Sequence, residues 1–290
     1  MISVRPRRSA LYMPGSNARA VAKARTLPID AVILDLEDSV APDAKVEARR
    51  AVAEAVREGG FGPREVVIRV NGASTEWGAA DLEAAVAARP DAILLPKVGS
   101  PEEIGRVDRL VAGSGTRIWA MIETPAAILR IDAIASAARV GGSAFSCMIL
   151  GTNDLAKETR ARLVPGRAPM LPWLTTVLAA GRAHGLDVLD GVYNNLKDLD
   201  GFRTECEQGL DLGMDGKTLI HPDQIAIANE VFAPPAEEVE AARAVIAAFE
   251  LPENSGKGVI SLGGRMVERL HADMARRTVA LAEAIANASA

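Results

Sequence analysis

The sequence predicts an α/β fold, a (β/α)8 barrel of the TIM type with a helical extension at its C-terminus. About eight short apolar segments alternate with Ala-rich helical segments, and these units together match the roughly 250 residues that such a barrel needs. The short segments are apolar throughout rather than alternating, as expected of strands covered on both faces. An open doubly wound sheet uses the same units, but no Gly-rich phosphate-binding turn follows an early strand.

Eight segments rich in β-branched residues are predicted to be the barrel strands. They cover residues 10–13, 31–36, 66–70, 92–96, 118–122, 147–150, 187–190 and 217–220. The helices between them include residues 43–58, 76–88, 101–111, 126–137 and 199–209. The helix at 101 shows typical start signals, since Ser100 can cap it and Pro101 and two acids follow.

The composition changes after residue 232, where Pro234 and Pro235 interrupt the pattern. We expect one helix over 237–249, a loop over 252–258 and a long helix over 265–290. The predicted domains are therefore a catalytic barrel, 1–232, and a helical segment, 233–290. A segment of this size is too small to bury a core alone, so it must pack on the barrel, on a neighbouring subunit, or on both.

Composition excludes several classes of protein. The net charge of −5 and the 3% of aromatic residues argue against nucleic-acid binding, because phosphate contacts need cationic surface and single strands need stacking platforms. Two cysteines cannot form a disulfide framework or a zinc site alone. The sequence shows no signal peptide and no apolar run long enough to cross a membrane. We expect a soluble, cytoplasmic protein without membrane partners.

Acidic residues follow several of the predicted strands, at the barrel end where catalytic groups lie. Glu123 follows the fifth strand and Asp154 the sixth, while Asp35, Glu37 and Asp38 follow the second. So many carboxylates would repel one another without a cation, and a site without His or Cys favours Mg²⁺, with Mn²⁺ as an alternative. Glu123 and Asp154 are the predicted ligands. The other three acids are expected to hold waters and basic side chains around them.

Two basic residues belong to the same predicted end of the barrel. Arg69 interrupts an apolar strand, and a buried guanidinium needs a partner. It either pairs structurally with one of the acids or binds a substrate carboxylate or enolate oxygen. Lys97 follows the fourth strand and could form a Schiff base, but neighbouring carboxylates would keep its ammonium protonated.

Seven motifs resemble, in order, those of the citrate lyase beta subunit and malyl-CoA lyase group of the metal-dependent aldolase family. The motifs are RSALYMPG at 8–15, DLEDSV at 35–40, RVN at 69–71, LPK at 95–97, MIETP at 121–125, GTNDL at 151–155 and GKTLIHPDQI at 216–225. The resemblance covers almost the whole chain. It is specific to the family but not to one substrate.

The resemblance implies a TIM barrel that cleaves or forms a C–C bond in a carboxylated 3-hydroxyacyl-CoA, such as malyl-CoA, methylmalyl-CoA or citryl-CoA. It implies Glu123 and Asp154 as Mg²⁺ ligands and Arg69 at the substrate carboxylate or thioester oxygen. It places Arg8 and Lys97 near CoA or the acidic loop. It also implies a homotrimer or hexamer in which the C-terminal segment caps a neighbour's active site.

One position departs from the family pattern. Active members carry Gly-x-Met-(Ile/Val)-Asp in the C-terminal segment, and its Asp works in the neighbouring site. Here Glu268 ends the stretch that begins at Gly264, so the expected catalytic carboxylate is one methylene longer. A misplacement near 1 Å can reduce a rate about a hundredfold.

Three hypotheses therefore stand for the function. The leading one is a Mg²⁺-dependent C–C lyase in which Arg69 stabilises the enolate and Glu268 from a neighbour carries a proton. The second is thioester hydrolysis or malate-synthase-like condensation at the same site. The third, which the altered motif favours, is a carrier-dependent or non-catalytic citrate lyase beta-type subunit.

Overall fold

A computed structural model describes residues 4–289 of the chain, and it confirms the predicted barrel. Eight parallel strands close into a ring in which each strand pairs with the next and β8 pairs with β1. The strands are β1 Ser9–Pro14, β2 Ala31–Asp35, β3 Glu65–Arg69, β4 Ala92–Leu95, β5 Arg117–Ile122, β6 Phe145–Leu150, β7 Asp187–Asp190 and β8 Gly216–Leu219. Each lies within two residues of its predicted bounds.

Side chains from alternate strand positions fill the barrel interior. This cluster contains small residues beside large ones: Ala10, Ala31, Ile33, Val67, Ala92, Leu94, Trp119, Met121, Cys147, Ile149 and Leu189. Tyr12 packs against the same cluster from β1. Because the interior is packed, substrate access is limited to the carboxyl ends of the strands, where the side chains become polar.

Helices surround the strands in the order expected of βα units. They are α1 Ala18–Ala24, α2 Lys45–Glu58, α3 Gly78–Ala88, α4 Pro101–Val111, α5 Pro125–Leu129, α6 Ile131–Ser136, α7 Thr152–Thr159, α8 Leu171–His184, α9 Leu199–Leu212 and α10 Ile225–Val231. The helix predicted over 126–137 is divided, because Arg130 has non-helical φ/ψ angles of −118° and 13°.

The chain forms two compact units, residues 7–229 and, among the described residues, 4–6 together with 230–289. The second unit contains α11, Ala236–Glu250, and α12, Arg269–Ser289. Its core is built from Phe249, Ile260 and Ala272. In the part of the chain that the structure describes, neither these helices nor those of the barrel have the length and apolarity to cross a membrane.

The second unit also contains a β-hairpin, whose second strand lies where the sequence predicted the start of a long helix. Strand β9, Val259–Leu262, pairs antiparallel with β10, Arg265–Glu268. The prediction of one helix over 265–290 was therefore wrong for its first four residues, and its last residue lies outside the described part. Gly263 and Gly264 have φ of 57° and 78°, which is the backbone of a two-residue type I′ hairpin turn.

Candidate metal centre and active site

Arg69 is held at the barrel mouth by a two-pronged contact with Asp35. The two residues end neighbouring strands and are paired in register, so their side chains leave the sheet on the same side. Arg69 Nε and Nη2 donate to Asp35 Oδ1 and Oδ2, each over 2.7 Å. Both side chains are buried, and this geometry fixes the plane of the guanidinium.

The third nitrogen of Arg69 faces the loop after β2. Its Nη1 lies 2.9 Å from Glu37 Oε2 and 3.2 Å from Asp38 Oδ2. Glu37 is buried, whereas the side chain of Asp38 is 63% exposed. The face of the guanidinium also covers the ring of Tyr12 at 4.8 Å. Of these partners, the exposed Asp38 is the one that a substrate anion can replace with least disturbance.

Glu123 directly follows β5 and is 1% exposed. Its Oε1 accepts a hydrogen bond from the backbone N–H of Lys97 at 2.8 Å. Gly151, between β6 and α7, leaves the space that its carboxylate occupies: a Cβ on Gly151 would lie 2.6 Å from Glu123 Oε2 and closer still to Glu123 Cβ. The glycine is therefore required for the position of this carboxylate.

Asp154 lies in the first turn of α7, close to Glu123 but more open to solvent. The ammonium of Lys97 forms an ion pair with each of the two acids, since Lys97 Nζ lies 3.7 Å from both Glu123 Oε1 and Asp154 Oδ2. The same Nζ donates to Glu37 Oε1 at 3.0 Å. Three carboxylates thus surround one position that a positive charge occupies.

Burial and charge set the protonation of this cluster. Burial, together with the charges of Glu37 and Asp154, raises the pKa of Glu123 to about 8, against the lowering effect of Lys97. Burial also raises the pKa of Glu37. For Asp35 burial is outweighed by the charge and hydrogen bonds of Arg69, so its pKa lies below the usual range. Burial opposes the charge of Lys97, but Glu123 and Glu37 raise its pKa, and the ammonium persists.

The donor set at this mouth fits a hard divalent cation. Glu123 and Asp154 offer carboxylate oxygens to one shared position. The buried carboxyl group of Glu123 has a raised pKa, and a nearby cation stabilises its charged form. Between residues 4 and 289 no group of three His, Cys, Asp or Glu side chains is arranged to hold a metal. An ion here would take two protein ligands, and water or substrate oxygens would complete its coordination.

A cavity of about 290 Å³ opens beside these groups. Its wall includes five of the predicted site residues, Asp35, Asp38, Arg69, Glu123 and Asp154, and further residues that were not predicted to belong to the site, among them Tyr12, Thr152 and Thr218. Tyr12 lies two residues after the interior Ala10, so strand alternation could have identified it. Its buried hydroxyl has no hydrogen-bond partner among the described residues.

Two predicted site residues lie elsewhere. Arg8 precedes β1, at the amino end of the strand, where its Nε and Nη2 donate to Asp30 over 2.8 Å each. The geometry therefore gives Arg8 no contact with a ligand at the opposite mouth. Glu268 ends β10 in the second unit, where its backbone N–H donates to His271 Nδ1 and its side chain is partly exposed.

Comparisons with known proteins match the chain to a family model and to named relatives. Residues 8–222 match the family model described as HpcH/HpaI aldolase/citrate lyase. The chain is 50% identical over 281 residues, 97% of this chain and 96% of the relative, to a (3S)-malyl-CoA thioesterase of Cereibacter sphaeroides strain ATCC 17023. It is 36% identical to the citrate lyase subunit beta of Escherichia coli K12, over 96% of this chain and 94% of the relative.

The fold of this chain is also similar to that of a solved structure. Protein CitE from Mycobacterium tuberculosis, in complex with magnesium, acetoacetate and coenzyme A, superposes with a TM-score of 0.77. The match covers 97% of this chain and all of that chain, at 27% identity.

Proposed function

Because this chain belongs to the HpcH/HpaI aldolase/citrate lyase family, we propose that it is a divalent-metal-dependent enzyme that hydrolyses a malyl-CoA-type thioester. The reaction adds water to the thioester carbonyl carbon, breaks the C–S bond, and releases malate and the CoA thiol. Mg²⁺ is the proposed ion, with Mn²⁺ as an alternative, and CoA enters as part of the substrate.

The observation that carries the proposal is the pair of carboxylates, Glu123 and Asp154, around one cation position beside Arg69. A ligand with a carboxylate or carbonyl oxygen fits such a mouth, because Glu123 and Asp154 would hold the ion that polarises this oxygen, and Arg69 lines the same cavity. The choice of hydrolysis is supported by the thioesterase relative, which is similar over nearly the whole length of both chains.

Mg²⁺, when bound by Glu123 and Asp154, supplies Lewis-acid polarisation of the substrate oxygen. Arg69 stabilises the negative charge that develops on that oxygen, and Asp35 keeps the guanidinium from turning as it does so. Asp38, at the exposed rim, gives up its contact with Arg69 Nη1 when the substrate anion arrives. Gly151 leaves the space that Glu123 occupies. The packed side chains of the barrel interior exclude bulk water from the inner side of the site.

Glu268 is proposed as a proton carrier in the active site of a neighbouring copy within a homotrimer or hexamer. Its carboxylate forms no ion pair in the described part of the chain, and an exposed hairpin is a suitable element for reaching a partner. Mixing inactive Glu123→Gln and Glu268→Gln proteins tests this arrangement, because mixed oligomers then contain some intact sites. No recovery of activity after subunit exchange would contradict it.

The test of the proposed function is a product assay on (3S)-malyl-CoA with Mg²⁺ and with EDTA. Hydrolysis yields malate and free thiol in equal amounts, only with the divalent ion, and Asp154→Asn should lower the rate at least a hundredfold. The rate of an Asp43→Asn control, an exposed position before α2, should remain unchanged. Thiol release that continues in EDTA would contradict the proposal.

C–C cleavage is the second candidate, favoured by the citrate lyase beta relatives. The same mouth can hold an enolate oxygen at Arg69 after the bond between the second and third carbons of the malyl group breaks. The product assay separates the two reactions, since cleavage yields glyoxylate and acetyl-CoA without free thiol.

A further inference from the structure

Lys97 occupies the cation position of the proposed metal centre. Its Nζ lies 3.0 Å from Glu37 Oε1 and 3.7 Å from both Glu123 Oε1 and Asp154 Oδ2. This ammonium attracts three carboxyl groups, two of which belong to the proposed ligands. The cluster is thus neutralised in part by a charge that belongs to the chain itself.

An ammonium and a divalent ion compete for the same oxygens. Both are attracted by Glu123 and Asp154, and the two cations repel each other strongly over a few ångströms in a partly buried site. A divalent ion that engages both carboxylates therefore displaces Lys97 Nζ from them. The affinity for the ion is correspondingly lower than the carboxylates alone would give.

The side chain of Lys97 is partly exposed, whereas its backbone is held in place. The backbone N–H donates to Glu123 Oε1, and φ is 53°, a left-handed conformation that directs the chain at this position. The side chain is 40% exposed and has one short contact, to Glu37. Lysine has a long, flexible stem, so the ammonium can leave without backbone rearrangement.

A second cavity provides the space into which the ammonium can move. This cavity of about 490 Å³ lies between α3 and α4. Lys97 and Glu37 line it, and their side chains contact each other beside the proposed metal centre. Glu103, on α4, offers another carboxylate on the wall of this cavity. The displaced ammonium thus keeps Glu37 as a neighbour and gains solvent and a further acid.

We propose that Lys97 is an internal counter-ion that holds Glu123 and Asp154 together in the metal-free chain and that a divalent ion displaces toward the second cavity. The proposal rests on the metal centre of the proposed function. It assigns Lys97 a positioning role, in which the residue sets the metal affinity and holds the two proposed ligands in place.

The test is Mn²⁺ binding measured by electron paramagnetic resonance, without substrate. Lys97→Met keeps the stem and removes the charge, so its Kd for Mn²⁺ should fall at least tenfold, while its melting temperature in EDTA should drop and recover with Mn²⁺. Lys97→Arg keeps the charge and should bind Mn²⁺ within threefold of wild type. Arg106→Met, which removes one charge from the wall of the same cavity, should change Kd less than twofold.

Each outcome decides between the two proposals. An unchanged or weaker Mn²⁺ affinity in Lys97→Met, or equal affinities in the Met and Arg variants, overturns the role of Lys97 while wild-type binding upholds the metal centre. If the wild-type protein binds no Mn²⁺, or if Glu123→Gln binds it as well as wild type, the metal centre fails and the role of Lys97 fails with it.

Discussion

The buried carboxylate of Glu123 is the residue on which the site depends most. Burial raises its pKa to about 8 from an ordinary 4.5, so the folded metal-free chain binds this proton more tightly than the unfolded chain does. The cost to stability is absent below about pH 4.5, grows as pH rises toward 8, and is complete above that. A side chain placed at this expense is characteristic of a functional site.

Glu123→Gln removes this pH-dependent cost, because the amide is neutral at every pH. In EDTA, the free energy of unfolding of the variant should exceed that of the wild type by an amount that widens from pH 5 to pH 8. Urea denaturation at four pH values measures the difference. Parallel pH profiles for the two proteins would show that Glu123 is ionised normally in the folded chain.

The residues of the site could be predicted from the sequence only in part. The acids after β2, β5 and β6 were expected at one mouth because the carboxyl ends of parallel strands meet there, and the structure brings them together. Arg69 was left between a structural pair and a substrate contact; it makes the structural pair with Asp35, and its Nη1 still faces the rim. Arg8 was associated with CoA by resemblance alone, and its position before β1 separates it from the mouth.

Among the elements, the junction between β6 and α7 determines the geometry of the proposed metal centre. Gly151 N–H donates to Ile122 O, which joins this junction to the end of β5 just before Glu123. The absent side chain of Gly151 leaves the room that the Glu123 carboxylate fills. One small residue therefore fixes the position of the proposed ligand Glu123.

Gly151→Ala should disturb this junction with little effect on the rest of the barrel. The added methyl overlaps Glu123, so we expect a loss of about 1–3 kcal/mol in the free energy of unfolding and at least a tenfold weaker Mn²⁺ affinity. Gly141→Ala is the matched control, since its Cβ would meet no atom within 4 Å. Equal Mn²⁺ affinities in the two variants would contradict the packing argument.

The barrel strands could be predicted closely because a strand covered on both faces is an uninterrupted apolar run. The C-terminal hairpin could not, because its strands have only four residues each, are largely exposed and show no regular apolar and polar alternation, while the flanking sequence is Ala-rich and helical. The Gly263–Gly264 pair was the available signal, since two positive φ angles favour a hairpin turn. The resemblance to the family instead implied that Gly264 begins a functional motif.

In the molecule as a whole, each of the two compact units contributes residues to the proposed function. The barrel unit supplies both proposed metal ligands and Arg69, and the second unit carries Glu268 on its hairpin. The carboxyl ends of β2, β3, β5 and β6 concentrate charge at one mouth, whereas the interior below is apolar. The charged groups can therefore bind an ion and a charged substrate at one end of a packed apolar interior that excludes water.

The proposed function requires that Glu123 and Asp154 share one divalent ion at this mouth. An anomalous-difference map from crystals soaked in Mn²⁺ tests it most directly, since the scattering locates the ion without reference to activity. We expect a single strong peak in contact with both carboxylates, with Lys97 Nζ farther from them than the present 3.7 Å. A map without a peak there, or with the ion bound elsewhere on the chain, would show that these two acids do not form the metal site.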